Sequence, residues 1–551
     1  MKQKIKLLAV VSASTLGACS GIGDGNAPLS LEIRIAGNAE SGELFECLAS
    51  TAQAVLTFDD GRQGDFARRV SWRSSDEAIL KISDGTEPTG NGQFFVNGAL
   101  LPRAAGTVTV TASYLTFEDS LEVTVSSTEI ELGPQRQVLA QGNRLLMNAT
   151  GILDGQSRLT TTDMTSLGQW SIDGADAAAS EIQADNGLLS ARSGAEAVDT
   201  VRYTIDFCDR SETVSVEIVN QTLSALELVL ASDTDTVPDS IALPPDASFG
   251  LRALGRYSGG LTQNLTSAVN FTVSEADVAF AGLRGPGLVT SFGDAAGRSA
   301  QISASFDPSS TVEGDEVLSN VVGVEVLDVA LQPESLAIAP QGALMLHSSQ
   351  LPMRASGRFS GNDGELDWDL TNDVVWSSGN TALLGLGNQS GSRGFAFAAA
   401  SGQGPVVVRA VRSGTDGPET PPSSTVLVAS DADDGEPFLI SGLQLESDQV
   451  EGQTGDQITL RAVATFGNDN VQGSQDISTR AVWSSSDPSV ALVSNAPGSR
   501  GLVRLVGEGT DQSVTIRARF FDSNLQDERF EASLQLVVNP SPAEEPGESA
   551  P

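Results

Sequence analysis

A short strand-like segment built around one aromatic residue returns along this chain about once every hundred residues. It reads Val70-Ser71-Trp72-Arg73-Ser74-Ser75-Asp76, Gln169-Trp170-Ser171, Val269-Asn270-Phe271-Thr272, Val375-Trp376-Ser377-Ser378 and Val482-Trp483-Ser484-Ser485-Ser486-Asp487. The aromatic positions 72, 170, 271, 376 and 483 lie 98, 101, 105 and 107 residues apart. That interval is the length of one two-sheet β-sandwich, so 551 residues predict about five separate cores rather than one large one.

The residues around each aromatic agree. Ahead of it runs a strand with period-two alternation, as in Leu251-Arg252-Ala253-Leu254-Gly255-Arg256-Tyr257, Met353-Arg354-Ala355-Ser356-Gly357-Arg358-Phe359 and Leu460-Arg461-Ala462-Val463-Ala464-Thr465-Phe466. Roughly thirty residues behind it comes another, such as Val406-Val407-Val408-Arg409-Ala410 or Val514-Thr515-Ile516-Arg517-Ala518. Period two puts one face of each strand on a core and the other in water. Trp72, Trp170, Phe271, Trp376 and Trp483 are therefore read as the core aromatics of the repeats rather than as a ligand-stacking surface.

The segment Ala481 to Val493, with its downstream Gly-rich turn and the Val514 strand, resembles the bacterial immunoglobulin-like group 2 family, whose modules recur in intimin- and invasin-type surface proteins. Trp72 to Ala112, with Ala105-Gly106-Thr107, is similar. Copies two and three depart: Trp170 lacks the Ser-Ser-Asp continuation and Phe271 replaces the tryptophan. The resemblance implies an all-β fold of about five tandem immunoglobulin-like β-sandwich domains in an extended array. The expected domains are residues 28–126, 127–220, 221–328, 329–430 and 438–539, with an acidic linker at 431–437 and a disordered tail at 540–551.

The N-terminus carries Lys2, Lys4 and Lys6, an apolar run from Leu7 to Leu16, then Leu16-Gly17-Ala18-Cys19. The run is about half of what spans a bilayer, which fits a secretory signal. Its end resembles the lipobox of bacterial lipoproteins. The resemblance implies a signal peptide at 1–18, lipidation of Cys19, a lipidated linker at 19–27, and export to the outer membrane or cell surface, with the membrane reached through the lipid. In an immunoglobulin-like sandwich, Cys47 falls in the loop before the second strand of domain one and Cys208 in the last hairpin of domain two. Both face one joint, so an interdomain Cys47–Cys208 disulfide is expected in the oxidising exported compartment.

Acidic residues outnumber basic ones 71 to 32, a formal charge of -39, and this field excludes nucleic acid as a partner. Asp431, Asp433, Asp434 and Glu436, and Asp233, Asp235 and Asp239, are weak Ca²⁺ candidates that lack EF-hand spacing; solvated linkers are the simpler reading, and no cofactor is assigned. With His347 as the sole histidine and no nucleophile-elbow or phosphate-loop motif, no catalytic residue is assigned and the chain is read as a non-enzyme. The leading expectation is a lipid-anchored surface spacer or adhesin with an unidentified protein or glycan ligand. The alternatives are an accessory docking subunit of an envelope secretion or pilus machine, and a carbohydrate-binding partner of a degradative enzyme.

Overall fold

The computed structural model describes residues 27–539 apart from 36–42, 90–92, 173–177, 193–196, 208–209, 232–235, 308–315, 348, 400–401, 403, 413–422, 429–438, 468–471, 508–511 and 523–525. The regular elements among the described residues are all strands. They fall into two compact units: one holds the first sandwich, the other holds the remaining four together with the loop tips Phe45–Cys47 and Arg103–Ala105.

The third sandwich shows the plan. One sheet runs Leu223–Leu230, Ser248–Tyr257, Leu288–Ser291, Ala279–Ala281; the facing sheet runs Ser240–Leu243, Val322–Val326, Arg298–Phe306, Asn270–Val273. In chain order that is A, B, E, D against a split first strand, G, F, C, the arrangement of an immunoglobulin constant-type sandwich. The split first strand pairs antiparallel with B through its first half and parallel with G through its second. The same parallel pairing joins Gln137–Ala140 to Arg210–Val219, Leu344–Met345 to Ser423–Val428, and Glu451–Gln453 to Gln526–Asn539. In the first sandwich the orders are Pro28–Ile35, Ser50–Phe58, Ala99–Pro102, Leu80–Ile82 and Glu43–Phe45, Phe117–Ser126, Gly106–Tyr114, Ser71–Ser74. The chain is all-β, with tandem immunoglobulin-like sandwiches.

Alternation explains each face. Along Gly404–Arg412, Val406, Val408 and Ala410 are buried while Arg409 and Val411 face water. Trp170, Trp376 and Trp483 are buried, whereas Trp72 and Phe271 are half-buried. Phe271 packs on the core from its margin.

A buried indole must place its N–H, and backbone amides under a sheet must be paired. One turn does both, and it is the most regular feature of the chain. Seven residues before each aromatic stands Asp65, Asp163, Asn264, Asp369 or Asp476, whose side-chain oxygen accepts the backbone N–H two residues on at 2.8 to 3.0 Å, an Asx turn. In copies two to five that second residue is Thr165, Thr266, Thr371 or Ser478. Its hydroxyl accepts the N–H of Ala149, Ala253, Ala355 or Ala462 on the neighbouring strand. Ala67 of copy one has no hydroxyl, and Asp65 itself accepts the Ala54 N–H. The residue between, Met164, Leu265, Leu370 or Ile477, drops its side chain into the core. The carbonyl of the second residue then accepts the indole N–H: Trp72 to Ala67, Trp170 to Thr165, Trp376 to Thr371 and Trp483 to Ser478, at 2.8 to 3.2 Å.

Against the far edge of the ring lies a glycine that cannot be replaced freely. Gly501, at φ +80°, accepts the Leu460 N–H at its carbonyl; a Cβ there would sit 2.6 Å from the Leu460 oxygen and 3.0 Å from Trp483 Cζ2. Gly187 stands in the same relation to Met147 and Trp170.

These contacts set the cost of a methyl group. Gly501→Ala combines left-handed backbone strain with overpacking and should lower unfolding free energy by about 3 to 4 kcal/mol. Gly455→Ala, at φ +99° with nothing within 4 Å, should cost only about 1 to 2 kcal/mol. Urea unfolding followed by tryptophan fluorescence compares the two.

Candidate functional site at the joints between sandwiches

In sandwiches three, four and five, the residue immediately before the Asx turn reaches back into the sandwich preceding it. Gln263 donates to the Val138 carbonyl at 2.9 Å, and Trp368 donates its indole N–H to the Ser248 carbonyl at 3.2 Å. Gln475 accepts the Leu346 N–H at 2.9 Å and donates to Ser349 Oγ and the Gln350 carbonyl. The turn that carries the core aromatic is thus also the docking edge of its sandwich. It is held rigid from inside, so the side chain beside it has a fixed direction.

Each joint buries polar groups that hydrogen-bond across the boundary. At the first, the buried Asn143 amide donates to Tyr257 Oη and Gln263 Oε1, and burial pushes the Tyr257 phenol up. At the second, Asp373 is buried and accepts both the backbone N–H of Ser248, at 2.9 Å, and its hydroxyl; Arg284 lies 3.4 Å from Oδ1. Burial is the largest influence on Asp373 and holds its carboxyl above the ordinary 3.8, against the Ser248 hydrogen bonds and the Arg284 and Arg412 charges. At the third, Arg480 donates to the His347 carbonyl, pairs with Asp522 at 2.6 Å, and lies 4.8 Å over the Phe520 ring. Burial pulls the Arg480 guanidinium below its ordinary range, with Asp522 opposing. Bending the second joint would part the buried Asp373 from Ser248 and Arg284, and bending the third would part Arg480 from the His347 carbonyl, so each joint opens only at a cost in hydrogen bonds.

A fourth polar cluster gathers around Glu46. Arg210 bridges Glu46 Oε2 at 3.3 Å and the Thr128 carbonyl at 3.0 Å, while Thr128 Oγ1 donates to the Glu46 carbonyl. The adjacent Cys47 has φ +66° and is disulfide-bonded. Cys19, Cys208, Asp233, Asp235, Asp431, Asp433, Asp434 and Glu436 lie outside the described residues, and Asp239 is exposed. The five aromatics sit in or against the sandwich cores, away from the joints. His347 is half-buried at the third joint. Among the described residues, no cluster of three or more His, Cys, Asp or Glu is placed to hold a metal, and no helix is long and apolar enough to cross a membrane.

Asn143, Ser248, Asp373, Gln475 and Arg480 carry no motif of their own, and sequence reasoning missed them. The available signal was positional: Gln263, Trp368 and Gln475 all stand one residue before the repeated Asp or Asn.

Strand order and joints together define a tandem immunoglobulin-like β-sandwich repeat protein. No protein-family model matches the chain. It is 26% identical to Ice-binding protein 1 of Shewanella frigidimarina (strain NCIMB 400) over 339 residues, 60% of this chain and 32% of that protein. The chain therefore spans about a third of the length of this curated relative. Similar solved structures include surface layer protein SbsC, domains 4–9 (14% identity, 94% of this chain and 82% of that one, TM-score 0.21). The N-terminal eight Ig domains of Down Syndrome Cell Adhesion Molecule match at 12% identity over 93% and 69% of the chains, TM-score 0.17. The insect immune protein hemolin matches at 12% over 75% and 100%, TM-score 0.19. The sheet orders, not these superpositions, define the sandwich.

Because its folded-state pKa is raised, Asp373 favours folding most when protonated, below the ordinary 3.8, and loses that contribution as pH rises through the folded value. The stability of the native chain minus that of Asp373→Asn should therefore grow as pH falls across this window. Parallel urea unfolding series at several pH values measure the difference; a flat difference contradicts the burial account.

Proposed function

We propose that this chain is a lipid-anchored bacterial surface protein that acts as a spacer or adhesin through its immunoglobulin-like sandwiches, without catalysis. The observation that carries this reading is the repeated joint, in which a side chain beside the rigid turn of sandwiches three, four and five locks into the preceding sandwich. Such joints transmit position along a chain, which is what a spacer needs and what a free linker does not provide. The net charge of -39 agrees with an exposed, soluble surface that avoids nucleic acid and anionic lipid heads. The Ala481 to Val493 and Trp72 to Ala112 segments support membership of the bacterial immunoglobulin-like group 2 family. Anchoring rests on the Leu16-Gly17-Ala18-Cys19 segment, with Cys19 acylated and the protein sorted to the outer membrane or cell surface.

The reading includes a Cys47–Cys208 disulfide. Glu46, one residue before Cys47, and Arg210, two residues after Cys208, are in contact at 3.3 Å, and Cys47 is bonded. Closing this pair fixes a long loop and stiffens the base of the spacer.

The curated relative supplies a second reading: a part shared with an ice-binding protein contributes to ice binding in this chain too. Purified chain that slows ice recrystallisation at micromolar concentration supports that reading; no effect beyond that of an unrelated acidic protein removes it.

Two measurements test the main proposal. Cells grown with labelled palmitate should incorporate label into the native chain and not into Cys19→Ser, and protease applied to intact cells should cleave the native chain; unlabelled chain retained inside the envelope contradicts anchoring. Non-reducing peptide mapping of exported protein should return one peptide joining Cys47 to Cys208, whereas two free thiols contradict the disulfide.

A further inference from the structure

To the contacts between sequence neighbours, the four-sandwich unit adds one between its first and last sandwiches. Strand Gln512–Asp522 outlasts its neighbour Val482–Ser485, whose pairing ends at Arg519. The residues beyond it are taken up by sandwich 2: Phe521 pairs with Leu159 and Asp522 with Arg158, antiparallel. Two sheets from distant parts of the chain thus run together as one. Beneath the pairing, Ile152, Leu159, Val482 and Phe521 form a buried apolar cluster. At its rim, Asp154 accepts from Arg529 at 2.6 Å and lies 3.3 Å from Arg519, while the Arg529 guanidinium stacks 4.5 Å over the Phe521 ring and donates to the Gly155 carbonyl. Asn495 of sandwich 5 reaches Glu131 of sandwich 2 at 2.8 Å.

We propose that these two faces are a self-recognition interface, and that when a joint between sandwiches 2 and 5 opens they join a second copy of this chain by exchange wherever copies are crowded. Three features argue for it. Both faces end in strand edges, which pair with any matching edge presented to them. The closing elements are a two-residue ladder, a four-residue apolar cluster, one carboxylate held by two arginines, and the hydrogen bonds from Asn495 to Glu131 and from Arg504 to the Arg136 carbonyl, fewer residues than the roughly 20 to 30 a side of a stable free pair of proteins. Such a contact holds in one chain because the intervening sandwiches tether the faces at high effective concentration. A surface packed with copies supplies a comparable concentration between chains. Each face then finds the same complement on its neighbour, giving a reciprocal pair in which sandwich 5 of each copy docks on sandwich 2 of the other.

The test uses the full chain in two charge-reversed forms. Asp154→Arg meets Arg519 and Arg529 with like charge, and the double variant Arg519→Asp/Arg529→Asp meets Asp154 with like charge, so neither closes within itself. Mixed one to one, the pair offers a native contact and a reversed, complementary one. Sedimentation velocity should show a one-to-one heterodimer that forms at a concentration at least about tenfold below any self-association of either variant. A mixture in which both species stay monomeric overturns the proposal. The triple variant Asp154→Arg/Arg519→Asp/Arg529→Asp restores complementarity within one chain and should return to the native monomer, showing that the faces tolerate reversal. Should either variant lose its circular dichroism signature, the decision passes to isotopically light and heavy native chains mixed at high concentration, each bearing a photo-crosslinking residue at Arg158. Mixed-isotope crosslinks from residue 158 to the Phe521 strand support exchange, and crosslinks confined to one isotope overturn it.

Discussion

Each sandwich is organised around the Asx turn that precedes its core aromatic, and in four of the five copies that turn decides where an indole N–H can go. A tryptophan at the centre of a sandwich contributes a large apolar surface, but its nitrogen needs an acceptor inside the protein. The acceptor is the carbonyl five residues earlier, presented by an Asx turn whose own amides are bonded to the Asp or Asn side chain and to the neighbouring strand. The turn is therefore closed on itself, on the core and on the adjacent sheet at once. In the third copy, Phe271 has no N–H to place, yet Asn264 and Thr266 keep the turn. The turn, more than the tryptophan, is the invariant of the repeat.

A turn this well satisfied is stiff, and the joints exploit that stiffness. A side chain one residue ahead of it projects from a fixed backbone, so Gln263, Trp368 and Gln475 meet the preceding sandwich in one geometry each. The residue three before the aromatic does the same at two joints, as Asp373 and as Arg480, with opposite charge and different partners. One backbone device thus serves both the interior of a sandwich and its connection to the next, while the side chains displayed on it differentiate the joints. Polar groups suit this role: a misaligned joint strands them away from water.

The strands were legible because half-buried sheets impose period two, and the segments ending at Phe359 and Phe466 show it without interruption. The hundred-residue interval was legible because the core aromatics are few and distinctive. The turn was also present in the sequence, at a constant seven residues before each aromatic, but Asp-Met-Thr, Asn-Leu-Thr and Asp-Ile-Ser share no single letter and read as ordinary loop. Gly187 and Gly501 looked like any other of the 56 glycines until their positive φ and their proximity to Trp170 and Trp483 were known. The joints could not be read at all: Ser248 and Asp373 are 125 residues apart, and nothing local in either segment announces the other. The contact of Asp154 with Arg519 and Arg529 is more remote still.

The central claim is that the five turns pin the strand next to them by side-chain and backbone hydrogen bonds. Native-state amide hydrogen exchange resolved at Ala54, Ala149, Ala253, Ala355 and Ala462 tests it directly. These amides should rank among the most protected of their sandwiches, opening only with global unfolding of that sandwich. Exchange at the rate of exposed hairpin turns, in even the three tryptophan copies with a hydroxyl at the second turn position, would contradict the account.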